Sequence, residues 1–306
     1  MHLMIQKPLA LAREEIDIER WNHTVESSTQ ESIYGYSHTL DHLCEHWDGL
    51  VLDDYRAVMP LPWRKKFGIR YAFTPAFIQR LDVYGNDVNK EQQIAFSEVL
   101  ESMFLYADVD LGFTAPGMKQ LSPRVNYIKD LTSDYSVIYD SYTSEAVRNL
   151  RKASSRNCMY VEDVRIEDVI TLYRSAFGLK ASYNEADYAK VSAFAHYCDR
   201  SGKLLLRGVR HAVTKELLFD ALMFLSAKRV YYLLGAPTPD GRAARAGYCL
   251  IDGVFQEFAG SNHIFDFEGS DIPSVASFYQ KFSPGTEQYY HLHINRLPWP
   301  LKMFKR

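Results

Sequence analysis

The chain has 306 residues, more than one compact domain of ordinary size needs and enough for two of about 150. With 47% apolar and 24% charged residues it has the mix of a folded globular protein, which excludes a disordered or fibrous chain. A formal net charge of −3 argues against a generally basic nucleic-acid binder, although local basic patches stay open.

From the N-terminus, Lys7 is followed too soon by Arg13, Glu14 and Glu15 for the apolar stretch of a secretory signal. Apolar periodicity and capping residues then predict helices over 16–27 and 36–45, strands over 47–52, 55–60 and 68–73, and a long helix over 89–106. Strands at 108–112 and 124–129 complete the first half. On the second helix His38, His42 and His46 recur at i, i+4 and i+8, which would align three imidazoles. The residues that could complete a metal site, His291 and His293, are far away in the chain, so an exposed polar stripe is expected and no metal.

The second half has the cleaner pattern. A strand over 159–165 precedes a helix over 166–177, closed by Gly178 as a left-handed cap. Asn184 caps a second helix whose Val191, Phe194, Ala195 and Cys198 form one apolar stripe, ended by Gly202. Three hairpin-linked strands follow at 203–210, 216–225 and 229–235. The apolar run 217–227 is interrupted by Asp220 and falls short of the ~20 residues that span a membrane. After a Pro/Gly turn comes a long helix with Gly247, Leu250, Ile251, Val254 and Phe258 on one face, then a strand at 263–267, a helix at 273–282 and a strand at 287–294. The tail from Leu297 reads as an exposed basic extension. Cys44, Cys158, Cys198 and Cys249 are isolated, without zinc or disulfide spacing, as expected of reduced thiols in the cytoplasm.

The first half repeats the order of the second, and Asp110-Leu-Gly-Phe113 can be laid beside Asp266-Phe-Glu-Gly269. Two α/β domains are therefore expected, 1–135 and 136–306, each a mixed, mostly antiparallel sheet flanked by helices. This order resembles the GNAT acyltransferases, and three stretches resemble their Fem-like, tandem-GNAT branch. They are the basic helix Ser144–Ala153, the strand end Phe265-Asp-Phe-Glu-Gly-Ser270 and the closing Phe278-Tyr-Gln-Lys-Phe282. Fem proteins transfer aminoacyl groups from tRNA to a peptidoglycan precursor, whereas other members of the fold take acyl groups from coenzyme A thioesters. Here Tyr279 stands at the Fem lysine, with Lys281 two residues on, Ser283 replaces the final glycine, and no heptad pattern supports a coiled-coil arm.

The resemblance implies a set of site residues. The turn containing Arg242, Arg245 and Gly247 stands where GNAT proteins hold a pyrophosphate at a helix start, although it lacks the first motif glycine. Leu233 and Leu234, on the preceding strand, complete the expected donor set. Tyr279 stands where some GNAT enzymes protonate a departing thiolate. Asp266 and Glu268 could orient or deprotonate an amine, with Lys281 nearby in sequence terms. Arg148, Arg151 and Lys152 could bind the phosphates of a nucleotide-linked substrate or tRNA. The expectation is an N-acyltransferase using acyl-CoA as cosubstrate, with no permanently bound cofactor, and a small-molecule or peptide amine as acceptor. The rivals are an aminoacyl-tRNA-dependent transferase acting on a cell-wall precursor and a non-catalytic binding protein on the same fold.

Overall fold

The computed structural model describes residues 7–115, 118, 121–178, 183–269 and 272–299. Ser270 and the basic residues Lys302, Lys305 and Arg306 lie outside them. The chain divides into two compact units, Met1–Arg124 with Gln288–Arg306, and Val125–Glu287.

The first unit opens with β1 (Leu9–Ala12), α1 (Ile18–Ser27) and α2 (Ser37–Leu43). An antiparallel meander follows: β2 (His46–Leu52), β3 (Ala57–Lys66) and β4 (Ile69–Phe73), with the short β5 (Tyr84–Gly85) on β3. Then α3 (Lys90–Met103) leads to β6 (Tyr106–Leu111), which lies parallel to β4. Helix starts follow local chemistry. Asp17 accepts from the Arg20 amide at 3.1 Å, and Asn89 and Gln92 form a reciprocal capping box. The core gathers on Trp21, which is fully buried and donates its indole N–H to the Gly35 carbonyl at 2.8 Å.

The second unit takes β7 (Leu121–Asp130) from Val125 onward, then α4 (Tyr135–Asp140), α5 (Ser144–Ser155), β8 (Cys158–Val161), α6 (Ile166–Phe177) and α7 (Glu185–Arg200). Its meander is β9 (Leu204–His211), β10 (Leu217–Leu225) and β11 (Arg229–Pro237). Two helices in tandem, α8 (Pro239–Ala244) and α9 (Ala246–Phe258), lead to β12 (Ile264–Asp266), parallel to β11; α10 (Pro273–Gln280) and β13 (Gly285–Asn295) close the chain. Asp220, which interrupts the apolar run, is fully buried on β10 and paired with Arg210 of β9 at 2.5 Å. Burial still pushes its carboxyl pKa up.

The pairing pattern is the same in both units. In the first the order is β1-β2-β3-β4-β6-β13, in the second β8-β9-β10-β11-β12-β7, each antiparallel except for one parallel step, β4–β6 and β11–β12. Asp110 and Asp266, laid side by side in the sequence, fall on the equivalent strands β6 and β12. The strand after each parallel step pairs in the other unit: Ile128–Asp130 of β7 run antiparallel to β12, and Tyr290–Asn295 of β13 run antiparallel to β6. A single cut at 135/136 therefore differs from the observed division at both of these strands.

Three local expectations are corrected. The helix carrying His38 and His42 ends at Leu43, and His46 begins β2, so the three imidazoles do not align. His46 instead stacks on Trp63, with ring centroids 4.5 Å apart. Gly178 is right-handed, with φ −54°; a glycine is needed because a Cβ would press on the Arg174 carbonyl. The expected single helix after the Pro/Gly turn is two, broken at Arg245. All four cysteines are free thiols, and no helix among the described residues is long and apolar enough to cross a membrane.

Candidate functional site

The second unit contains a cavity of about 420 Å³ lined from α5, α6, β10, β11, the α8–α9 junction and α10. Strand pairing explains the opening. β11 runs beside β10 as far as Pro237, but it pairs with β12 only over Arg229–Tyr231. β12 ends at Asp266, opposite Tyr231, and beyond that point Tyr232, Gly235 and Pro237 of β11 line the cavity. The register on the β10 side slips here: Leu222 faces Leu234 while Met223 faces Tyr232, so Leu233 is the extra residue of a β-bulge.

The α8–α9 junction is fixed by close packing. Thr238 caps α8, its hydroxyl accepting from the Gly241 amide at 3.0 Å, and Pro239 occupies the first helical position. A Cβ on Gly241 would run into the Leu218 carbonyl oxygen, so only glycine fits. Arg245 then adopts a left-handed conformation, φ 68°, ending one helix and starting the next. The result aims the positive end of α9, with Gly247 in its first turn, at the cavity, and sets the exposed Arg242 and Arg245 at its mouth.

The cavity lining also carries an ion pair, Lys281 Nζ to Glu145 Oε2 at 2.7 Å. The Lys281 hydrogen bond holds the Glu145 carboxyl below the usual range, with added pull from Arg148 and Arg245. Deeper in, the walls are aromatic. Tyr279 is 7% exposed, its ring centroid 4.6 Å from that of Phe267 and 6.4 Å from that of Tyr232. Burial, with smaller contributions from Tyr173 and the Glu268 charge, pushes its pKa far above the ordinary tyrosine value. Tyr248, on α9, faces Phe278 edge-on at 5.0 Å.

Tyr279, Lys281, Arg242, Arg245 and Gly247, chosen from the sequence, thus line one cavity. The other candidates lie elsewhere. Leu233 is the bulge residue and Leu234 is 1% exposed; neither is among the lining residues. The Asp266 carboxylate is buried and engaged: it meets Arg229 at 2.8 Å, Asn126 Nδ2 at 2.9 Å and the Glu268 amide at 2.9 Å. Arg229 also reaches Glu287 at 2.5 Å, so this network ties strands together. Glu268 sits beside it in a left-handed conformation, φ 64°, outside the lining but near enough to raise the Tyr279 pKa. Arg148, Arg151 and Lys152 are exposed on α5, and of the three Arg148 acts on Glu145 at the mouth. The sequence reading gave no role to Glu145, Tyr232 or Tyr248. A lone acid at the start of a basic helix was the available signal for Glu145; the two tyrosines had none.

No protein-family model and no curated protein matches the sequence. Solved structures do match. FemX superposes with a TM-score of 0.64 at 14% identity, covering 95% of this chain and 98% of that one. A tandem GNAT protein from the clavulanic acid biosynthesis pathway gives 0.50 at 10% identity, covering 94% and 98%. The fold is Fem-like, tandem GNAT. L-PGS from Bacillus licheniformis shares it, with a TM-score of 0.51 at 12% identity, covering 98% and 96%. The likeness to FemX and the tandem GNAT protein extends over almost the whole of both chains and is one of fold alone.

Proposed function

We propose that this protein is an N-acyltransferase that takes an acyl group from a coenzyme A thioester and passes it to an amine. One observation carries the reading: the start of α9 with Arg242 and Arg245, the part of β11 beyond Tyr231 and the Tyr279 phenol all meet in a single cavity. Each suits one part of a thioester donor. The helix start and the two guanidiniums suit a pyrophosphate. Among the described residues no strand pairs with β11 on the β12 side beyond Tyr231, so this edge suits the amides of a pantetheine arm. The aromatic floor excludes water from the reacting carbonyl.

The chemistry follows from these parts. A neutral amine attacks the thioester carbonyl, the carbonyl oxygen gathers negative charge, and backbone N–H groups on the β11 edge stabilise it. With the C–N bond made, the C=O bond re-forms and the C–S bond breaks. Tyr279, a phenol at neutral pH like any tyrosine, gives its proton to the departing sulfur as the amine gives one up, and the amine's proton restores the phenol. The products are an amide and a free thiol.

A second reading keeps the site and changes the donor. The exposed Arg148, Arg151 and Lys152 on α5, beside the cavity mouth, suit the phosphates of an aminoacyl-tRNA. Calorimetric titration with coenzyme A, acetyl-CoA and aminoacyl-tRNA separates the cases. One equivalent of a CoA thioester is expected to bind. Binding of aminoacyl-tRNA alone, weakening steeply with salt, replaces acyl-CoA by tRNA as the donor. Binding of neither leaves a non-catalytic protein on the same fold.

A further inference from the structure

We propose that the first unit holds a divalent transition-metal ion, of the zinc class, between β6 and β13, with Asp108, His291 and His293 as ligands and Asp110 orienting His291. The strand register sets the residues together. Asp110 lies opposite His291 and Asp108 opposite His293, and residues two apart on a strand project to the same face. All four side chains therefore share one face of an antiparallel pair.

The donor atoms already converge. Asp108 Oδ1 is 3.1 Å from His291 Nε2 and 3.3 Å from His293 Nδ1, and donors from all three residues lie within 4.8 Å of one another. Zinc bonds of ~2.0–2.1 Å in a tetrahedron place neighbouring ligand atoms about 3.4 Å apart, so an ion fits with small side-chain adjustments. His291 supplies a second argument. Its other nitrogen, Nδ1, lies 3.1 Å from Asp110 Oδ1. A neutral imidazole has one N–H and cannot donate to carboxylates on both sides. With an ion on Nε2, the single proton sits on Nδ1 and donates to Asp110, the carboxylate–histidine–metal arrangement that fixes a ligand's tautomer.

Charge and access agree. Among the described residues Asp110 meets the cation Arg124 at 3.5 Å, and the two carboxylates of Asp108 and Asp110 outnumber it. The Tyr106 ring backs His293 edge-on at 5.5 Å. Asp108 is exposed and both histidines partly so, which gives an ion a way in and leaves the fourth position to water or another ligand. Two imidazoles with one carboxylate favour zinc, cobalt, nickel or copper over magnesium or calcium. Such an ion pins the C-terminal strand to β6.

The test is a titration of the tag-free full chain with Co²⁺, followed by visible absorption, and with Zn²⁺ as competitor. One equivalent should bind, and Zn²⁺ should raise the melting temperature. His291→Gln, His293→Gln and Asp108→Asn should each weaken binding at least about tenfold, and Asp110→Asn by roughly 10–100-fold. His38→Gln with His42→Gln should leave it unchanged. Asp108 is exposed, so its variant keeps the test valid if a histidine variant fails to fold; far-UV circular dichroism checks each. Absence of stoichiometric Co²⁺ binding overturns the proposal, as does binding that persists in folded Asp108→Asn and His293→Gln proteins.

Discussion

A tyrosine that is to give a proton to a leaving group at neutral pH must first keep it. Every tyrosine meets that condition, its ordinary pKa being about 10, and Tyr279 also lines the cavity proposed for the donor. Tyr279→Phe keeps the packed ring and removes the hydroxyl alone. Single-turnover kinetics should show the chemical step slowed by roughly 10²–10⁴-fold with donor affinity little changed. Turnover near that of the parent protein would reduce Tyr279 to a core aromatic. Gly241 sits at the same scale, with no room for a Cβ against Leu218. Gly241→Ala should cost about 1–3 kcal/mol or more, read as a lowered denaturant midpoint. Tyr279 and the two arginines could be found from the sequence because they stand in a recognisable order around a turn. Glu145 shows in the sequence as a lone acid on a basic helix, but its ion pair does not, since Lys281 is far along the chain and comes within 2.7 Å only in the fold. Asp266 drew notice as a strand-end carboxylate, but its buried partner Arg229 carries no motif.

Among elements, those with their own caps were legible. Asn184 and Asp187 form the capping box that starts α7, and its buried stripe is the one the periodicity marked. Elements held by tertiary contacts were not: β5 has two residues, and α8 exists because Thr238 and Gly241 lock it onto Leu218. The histidine stripe failed because a helical period was continued past Leu43 into a strand. Two polar ties between elements can be tested. Arg229 joins β11 to Asp266 of β12 and Glu287 of β13. Arg229→Met leaves a buried carboxylate without its cation and should cost about 3–5 kcal/mol in urea unfolding. Adding Asp266→Asn should recover part of that loss. Glu257 of α9 accepts from Tyr160 of β8 at 2.7 Å and from Arg207 of β9 at 2.8 Å. Burial opposes its ionisation, but the Arg207 and Tyr160 hydrogen bonds outweigh it and hold the carboxyl below its ordinary value. A lowered acid pKa contributes stability above the unfolded value, and that stability is lost as pH falls through the folded one. Melting curves between about pH 5 and pH 3 should therefore fall less steeply for Glu257→Gln than for the parent chain.

For the whole molecule, the two units share one pairing pattern, with a parallel step in each bridged by a helix: α3 before β6, and α9 before β12. That repeat was visible in the order of predicted elements. The exchange of strands was not, because local patterns show that a segment is a strand but not which edge it joins. A chain ended at Glu287 loses Tyr290–Asn295, the antiparallel partner of β6, including the buried Leu292 and Ile294. Hydrogen exchange should then quicken across β6 while β10 keeps its protection. Unchanged β6 protection would show that β13 does not stabilise the first unit.

The central claim is that an acyl donor binds in the second unit with its phosphates at the α8–α9 junction. It is tested most directly by titrating acetyl-CoA into the parent protein and into the Arg242→Ala, Arg245→Ala double variant by calorimetry. Both side chains are exposed, so their removal should leave the fold intact. Loss of two sets of charge-assisted hydrogen bonds should weaken binding by roughly 1–4 kcal/mol, about 5–1000-fold. Equal affinity in the two proteins would contradict the account.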